Sequence, residues 1–597
     1  MRRQAIRRGA LLLALALVAA ALLLAPAVAG RATPRVGSAL HGSMAPVNPA
    51  FLESLVRAPI GAPSGADVGQ PLGGRPGPQD FSHTAGMQVP GVSARSLPAT
   101  YDLRPLGRVT SVKDQNPYGT CWAFASLGSL ESCLLTPEQT WDFSEDNMVL
   151  NSGFNYPGGL YDGGGTIYMS TAYLARWRGP VYESEDAYGD NYTPLRLTAR
   201  KHVQEVKWIP PRGSALDNAN IKTAVMQYGA ADVSMCWNGS TLGSAYYNAT
   251  TASYYYSAPE GTKTNHEVLI VGWDDNYAAA NFATIPRGGN GAFLVKNSWG
   301  SAWGSNGYFY VSYYDSTFGR KGPMAVFSNA ESTSNYSGIY QYDPLGYCAK
   351  WGFGSTTGWL ANVFTAQASA SLSAVGFYTV VPGTSYEVYT GSSLATKTLR
   401  TSGTLAYMGY HTVALPAPVA VTNGQPFVVA MKVTTPGDDY PIALENPFPD
   451  YSSGATASAG QSYVSSNGSS WTDITTIYSN TNVCLKAYVK ASPAPPITVT
   501  APTAASSWPS GSTQTVAWTV NPARTGGEFR VWLVSAAGGW YINKQVLPLA
   551  GKTSYSSAIT ASVPAAAGYK AYVYWRPAVG SGTWTATAKS AAFTVTP

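Results

Sequence analysis

The stretch Ser111–Glu131, SVKDQNPYGTCWAFASLGSLE, constrains the chain more than any other, because it sets a cysteine at the start of an apolar periodic run. Trp122, Phe124, Ala125, Leu127 and Leu130 recur near i, i+3 and i+4, the spacing of a half-buried helix. Asn116, Pro117, Tyr118 and Gly119 are turn formers, so the helix begins close to Cys121. A thiol placed there meets open backbone N–H groups and the positive end of the helix dipole, both of which favour a thiolate. Packing is nonetheless the ordinary fate of a lone cysteine in an apolar helix, and a nucleophile needs support from downstream.

That support has to be a base for the thiol proton and a third group to orient the base. The chain has five histidines. His41 and His83 fall in a Pro/Gly-rich N-terminal segment, His202 in a polar stretch, and His411 in a later strand. His266 remains, in TNHEVLIVGWDD, entering a buried strand over Val268–Val271. Farther on, FLVKNSWGSAWGSNGYFY (Phe293–Tyr310) delivers Asn297 from a strand and then turns through Trp299 and Trp303.

Taken together, these segments resemble the papain and cathepsin family of cysteine peptidases. Gln115, the Gly119–Phe124 run, Asn265-His266 leading to Gly272-Trp273, and Lys296-Asn297-Ser298-Trp299-Gly300 match in order. Cys121 and His266 lie 145 residues apart, inside the family window of about 130–150. Asn297 lies 176 residues from Cys121, which marks the loop Asp274–Asn290 as an insertion. The resemblance implies an α+β catalytic domain, a helical lobe plus a β-barrel-like lobe, over residues 97–330. It implies that Cys121 is the nucleophile and His266 its base. Asn297 holds the imidazole, and Trp299 covers that bond from water. Gln115, with the Cys121 N–H, forms the oxyanion hole. Gly163 and Gly164 fall on the cleft edge that pairs with an extended peptide, Gly165 and Thr166 on a subsite wall, and Asn265 and Trp303 beside the substrate. Phe143-Ser144-Glu145 resembles the capped helix that follows the catalytic one. Two positions depart from the pattern. Tyr118 and Tyr161 stand where the family carries a bonded cysteine pair, and their packing is expected to replace the bridge.

Outside this region, residues 1–29 read as a secretory signal: four arginines, an apolar run and an Ala27-Val28-Ala29 cleavage pattern. Residues 30–96 read as a disordered or removable pro-segment with one short helix at Pro49–Val56. The net charge of +6 is accounted for by residues 1–96, leaving a neutral body from Leu97 onward that gives no support to nucleic-acid binding. After Ser334 the texture becomes short alternating strands, such as Ala374–Val380, Tyr386–Tyr389 and Phe427–Val433. Residues 335–490 resemble the lectin-like domain found behind papain-type domains in secreted prokaryotic proteins, 491–496 form a Pro-rich linker, and 497–597 read as an Ig-like sandwich. The whole is a multidomain chain: an α+β catalytic domain followed by two all-β sandwich domains.

Cys348 and Cys484 are candidates for a disulfide in an oxidising compartment, whereas Cys133 and Cys236 read as buried free thiols. No His/Cys spacing suits a metal, and no cofactor is expected. The expected protein is a secreted or cell-envelope-associated monomeric endopeptidase. Its partners are a protein or peptide substrate and a surface glycan or protein bound by the sandwiches, with no nucleic acid and no membrane span after signal removal. Two other classes share these residues: a binding protein on a papain-like scaffold, and a Cys-His acyltransferase or ligase that passes its acyl group to an amine.

Overall fold

The computed structural model describes residues 42–56, 70–93, 97–135, 140–194, 196–239, 243–259, 261–491 and 497–597. The signal reading and the linker prolines lie outside these residues. No helix among the described residues is long and apolar enough to cross a membrane.

The helix Cys121–Leu134 is the centre of the catalytic half and is buried along almost its whole length. Small residues on it let the sheet come close. A side chain at Gly128 would meet Leu269 at 3.2 Å, and Ser129 Oγ donates to the Ala230 carbonyl at 2.6 Å. Helices Glu145–Leu150 and Ile167–Ala175 complete this lobe. Ser144 caps the first, its hydroxyl accepting from Asn147 N–H at 2.9 Å, as N-terminal donors require. Against the helix packs an antiparallel sheet of Ala231–Met235, His266–Asp274, Ala292–Lys296 and Tyr308–Ser312. His266 opens its strand, and Asn297 follows directly on the next one, so strand register brings the two side chains together. The loop between them bears a short turn of helix at Ala279–Asn281.

The expected boundary near residue 330 is not a break in the structure. Strand His202–Ile209 of the catalytic half pairs with Met408–Val421 of the following half, Trp208 opposite Met408 and Glu205 opposite His411. One sheet of 13 strands therefore runs through both halves. Residues 497–597 form a separate sandwich of a three-stranded and a six-stranded sheet. Trp508, Trp518 and Trp575 lie in its core.

The described part of residues 30–96 is ordered, which corrects the disordered reading but not that of a removable pro-segment. Ser43–Met44 adds a strand to Ala349–Gly352, the helix Pro49–Val56 forms where expected, and Phe51 is buried among Tyr156, Phe448 and Tyr451. The Cys348–Cys484 bridge does not form, and all five cysteines are free. Cys348 N–H bonds the Leu444 carbonyl and Cys484 N–H the Ala443 carbonyl. These adjacent carbonyls of strand Ile442–Glu445 point to opposite sides, so the strand stands between the two thiols. Two strand spacings of ~4.8 Å exceed what a disulfide spans. Cys133 is half-buried rather than buried.

Candidate active site

Cys121 is the first residue of its helix and is fully buried. Its Sγ accepts from the Glu267 N–H at 3.3 Å and from the Gly73 N–H. On the neighbouring strand, His266 Nε2 lies 2.9 Å from Asn297 Oδ1. That oxygen also accepts the Ser298 N–H at 2.9 Å, which identifies it as the carbonyl end of the amide. A carbonyl oxygen only accepts, so Nε2 carries the ring hydrogen and the neutral imidazole keeps its lone pair on Nδ1. Nδ1 has no hydrogen-bond partner among the described residues. Trp299 stacks on the imidazole at 4.6 Å and 18°, and Trp303 and Trp237 brace Trp299 edge-on.

Gln115 is set by its neighbours. Ser298 Oγ donates to Oε1 at 2.7 Å, and Tyr188 Oη donates to the Gln115 carbonyl at 2.7 Å. With its oxygen occupied, the amide turns its NH₂ toward the cleft, where it donates to the Pro71 carbonyl at 3.1 Å and the Tyr118 carbonyl at 2.9 Å.

The cleft is filled by the chain's own segment Pro71–Pro76. Pro71 O also accepts from Trp299 Nε1 at 3.2 Å. Gly74 N–H bonds the Asn265 carbonyl at 3.0 Å, Gly165 N–H bonds Gly73 O at 2.8 Å, and Arg75 N–H returns to Gly165 O at 3.0 Å. Gly74 and Gly165 pair in parallel. The edge residue that exchanges main-chain bonds is thus Gly165. Gly163 O takes Arg75 Nε at 2.8 Å, and Gly164 lies against Gly73 O. Thr166 stands at the start of the next helix with its side chain buried. Only glycine fits the middle of the segment. A Cβ on Gly73 would lie 2.0 Å from the Gly119 carbonyl oxygen, and one on Gly74 would lie 2.7 Å from His266 N. Burial under this cover pushes His266 down to about 4, against the Asn297 bond, which favours the charged ring. It also raises the Cys121 thiol well above its ordinary value. Both groups are held neutral.

Residues 97–325 match the papain family cysteine protease profile, and residues 339–489 match the lectin-like domain profile. The chain carries a papain-family cysteine protease domain followed by a lectin-like domain. A viral cathepsin of Choristoneura fumiferana nuclear polyhedrosis virus is 31% identical over 214 residues, which are 36% of this chain and 59% of that protein. The chain thus spans about three-fifths of the curated relatives it matches. The crystal structure of the cysteine protease and lectin-like domains of Cwp84, a surface layer associated protein of Clostridium difficile, superposes at TM-score 0.62. It is 26% identical and covers 78% of this chain and 100% of that one. A clostridial Cwp84 structure after propeptide cleavage is 27% identical, with TM-score 0.57, covering 66% of this chain and 99% of that one.

In the papain-family domain, the tyrosines at the missing bridge do pack together, Tyr118 on Tyr161 at 4.4 Å. Tyr161 also donates to Asp146. Sequence reasoning overlooked Ser298 and Tyr188 as supports of Gln115. Ser298 was visible in the Asn-Ser-Trp run, but Tyr188 carries no local signal. It also overlooked a pair of carboxyls behind the nucleophile. Glu267 alternates with His266 along the strand and so points away from the cleft, into the helix, where Asp232 also lies. Both are fully buried, and Ser126 Oγ donates to Asp232 at 2.8 Å. Burial raises both carboxyls, Asp232 to about 7 and Glu267 well above its ordinary value, so the pair holds a proton between them.

Proposed function

We propose that the papain-family domain is a cysteine endopeptidase that the chain carries closed, with residues 70–77 seated in its own cleft. The observation that carries this reading is the imidazole of His266. It is held through Nε2 by Asn297 and covered by Trp299, with Nδ1 left for the proton of the adjacent Cys121. Once the segment leaves, water and substrate relieve the burial that keeps both groups neutral, and the proton passes from Sγ to Nδ1. The thiolate attacks the scissile carbonyl, whose oxygen takes the place now held by Pro71 O beside Gln115 Nε2. The imidazolium then protonates the leaving amine, and water hydrolyses the acyl-enzyme. The lectin-like and C-terminal sandwiches serve attachment at an extracytoplasmic surface. This is supported by the leader-like residues 1–29 and by the surface-layer association of the similar clostridial protein.

The test compares chains beginning at Gly30 and at Leu97, each with Cys121→Ala, on a peptide library and an epoxide thiol inhibitor. Cleavage and labelling are expected from the Leu97 chain, little from the Gly30 chain, and none from either variant. Cleavage that survives Cys121→Ala would refute the nucleophile, and equal activity of the two chains would refute the closed state.

A further inference from the structure

The neutral body counted from the sequence conceals a division of charge. Residues 497–597 contain seven lysines and arginines against a single carboxylate, Glu528, and the preceding 400 residues are correspondingly acidic. This basic module also carries aromatic side chains on a face its core does not use. Trp508, Trp518 and Trp575 are buried, but cross-strand register places a second set on the opposite face of the sheet. On strand Glu528–Val534, Arg530 and Trp532 alternate with the core residues Val531 and Leu533. Tyr574 lies opposite Arg530, and Tyr572 opposite Trp532.

Five rings form one continuous patch there. Trp540 touches Trp532 at 5.6 Å, Tyr572 at 5.5 Å and Tyr574 at 5.9 Å. Tyr572 and Tyr574 lie 6.1 Å apart and within 15° of parallel, and Trp584 extends the patch from Tyr574 at 5.9 Å. Trp540 is 51% exposed and Trp584 36%, in a chain whose large side chains are otherwise mostly buried. The cations around the rings are of two kinds. Arg530 and Arg576 are occupied by the buried Glu528. Lys570 and Lys589 have no carboxylate partner among the described residues, and Lys589 stands opposite Tyr572 at the edge of the patch.

We propose that this face binds an anionic polysaccharide, its sugar rings lying on the aromatic patch and its carboxylates meeting Lys570 and Lys589. The occupant follows from the chemistry. Exposed aromatic faces carry negative quadrupole density that attracts the slightly positive C–H face of a pyranose, while water is shed from both. Rings 5.5–6.1 Å apart offer successive platforms to an extended chain of such sugars. The two ammoniums select a polymer bearing negative charge, in a module whose single carboxylate, Glu528, is already paired with Arg530 and Arg576. A nucleic acid strand would also find rings and cations. Here, however, Trp540 meets Trp532 at 84° and Trp584 meets Tyr574 at 63°, and the near-parallel Tyr572 and Tyr574 stand only 6.1 Å apart, too close to admit a base between them at roughly 3.5 Å from each. The inference is independent of the peptidase reading.

Affinity electrophoresis of the full chain through gels containing polygalacturonate tests it, with neutral galactan gels and an oligothymidylate titration alongside. Retardation by polygalacturonate is expected, weakened at least tenfold in apparent Kd by Trp540→Ala/Tyr574→Ala and clearly reduced by Lys570→Ser/Lys589→Ser. Trp584→Ala, outside the paired strands, is expected to weaken binding even if the double aromatic variant unfolds the module. Absence of retardation overturns the proposal. So does binding that both aromatic variants leave intact, since that is ion exchange. Equal retardation by galactan, or tighter binding of oligothymidylate than of polygalacturonate, overturns it as well.

Discussion

Removing the Ser298 hydroxyl takes away the bond that keeps the Gln115 oxygen turned from the cleft, while leaving the oxyanion donor itself in place. Outright loss of such a donor costs about 10²–10³ in kcat. Ser298→Ala should therefore cost less, about tenfold in kcat with KM nearly unchanged, and Gln115→Ala should reach the larger loss. Both are measured on protein beginning at Leu97, and an equal loss in KM would mean that Ser298 supports the binding of substrate instead. The titrating groups argue in one direction at this scale. An ordinary imidazole titrates near 6.5, but the covered His266 is pushed down to about 4. Between those values the covered state binds fewer protons than the open one, so cover is lost as pH falls, by up to about 3 kcal/mol. Burial alone would raise Asp438, but His83 and Lys350 outweigh burial and hold it low, so it stays ionised down to pH 4.5 and the anchor it gives His83 is lost only in stronger acid. Asp232 and Glu267 have raised values and favour the folded state in acid, but they stay buried whether the cleft is covered or open. A peptide of residues 42–93 should thus bind protein beginning at Leu97 at least about tenfold more weakly at pH 4.5 than at pH 7.5. Binding that is flat or tightens in acid would refute this account.

At the scale of elements, the covering segment depends on two residues without side chains. Gly73 passes so close to the Gly119 carbonyl that the contact is backbone against backbone, and no rotamer change relieves a Cβ there. Gly73→Val should keep the segment out of the cleft, so that epoxide labels Cys121 in the uncut chain at least about tenfold faster than in the parent. Labelling at the parental rate would show that the segment does not guard the thiol. This element also marks the limit of what the sequence discloses. Cys121, His266, Asn297 and Gln115 stand out because each sits in a local run that resembles the papain and cathepsin family, in the same order and near the same spacing. The helix Pro49–Val56 is legible from its own short run. Pro71–Pro76 reads only as Pro and Gly composition, because its order comes from bonds to Asn265, Gly165 and Gln115, each distant in the chain. The buried carboxyl pair is hidden similarly: Glu267 reads as one polar residue in an apolar strand until the helix is placed over it. The proposed Cys348–Cys484 bridge shows the converse error, since closeness to the two ends of one domain says nothing of the strand that lies between.

At the scale of the whole molecule, the strand pairing of Glu205–Trp208 with Met408–His411 makes the papain-family and lectin-like domains one sheet rather than two bodies on a hinge. Polar contacts reinforce the seam from within: His411 Nδ1 lies 3.2 Å from Glu205, whose other oxygen takes Lys207, and Lys207 Nζ also reaches Ser328 Oγ at 3.3 Å. Burial raises the cost of separating these groups, because each would leave its partner uncompensated. The two domains should therefore unfold together, in one calorimetric transition, in protein beginning at Leu97. The weak point is Gly409, at φ +118°, where a Cβ would lie 2.1 Å from the Val206 carbonyl oxygen. Gly409→Val should break the pairing at a cost of about 3 kcal/mol or more. The strain falls on the pairing that joins the halves and on the buried Trp208 beside it, so the single transition should divide into two, the first at lower temperature. Active-site labelling by the epoxide should persist below that first transition. A variant that still melts in one step, merely displaced, would mean that the shared sheet is not what couples the domains, and that the buried aromatic cluster of Tyr168, Trp208, Tyr347 and Tyr378 across the seam does so instead.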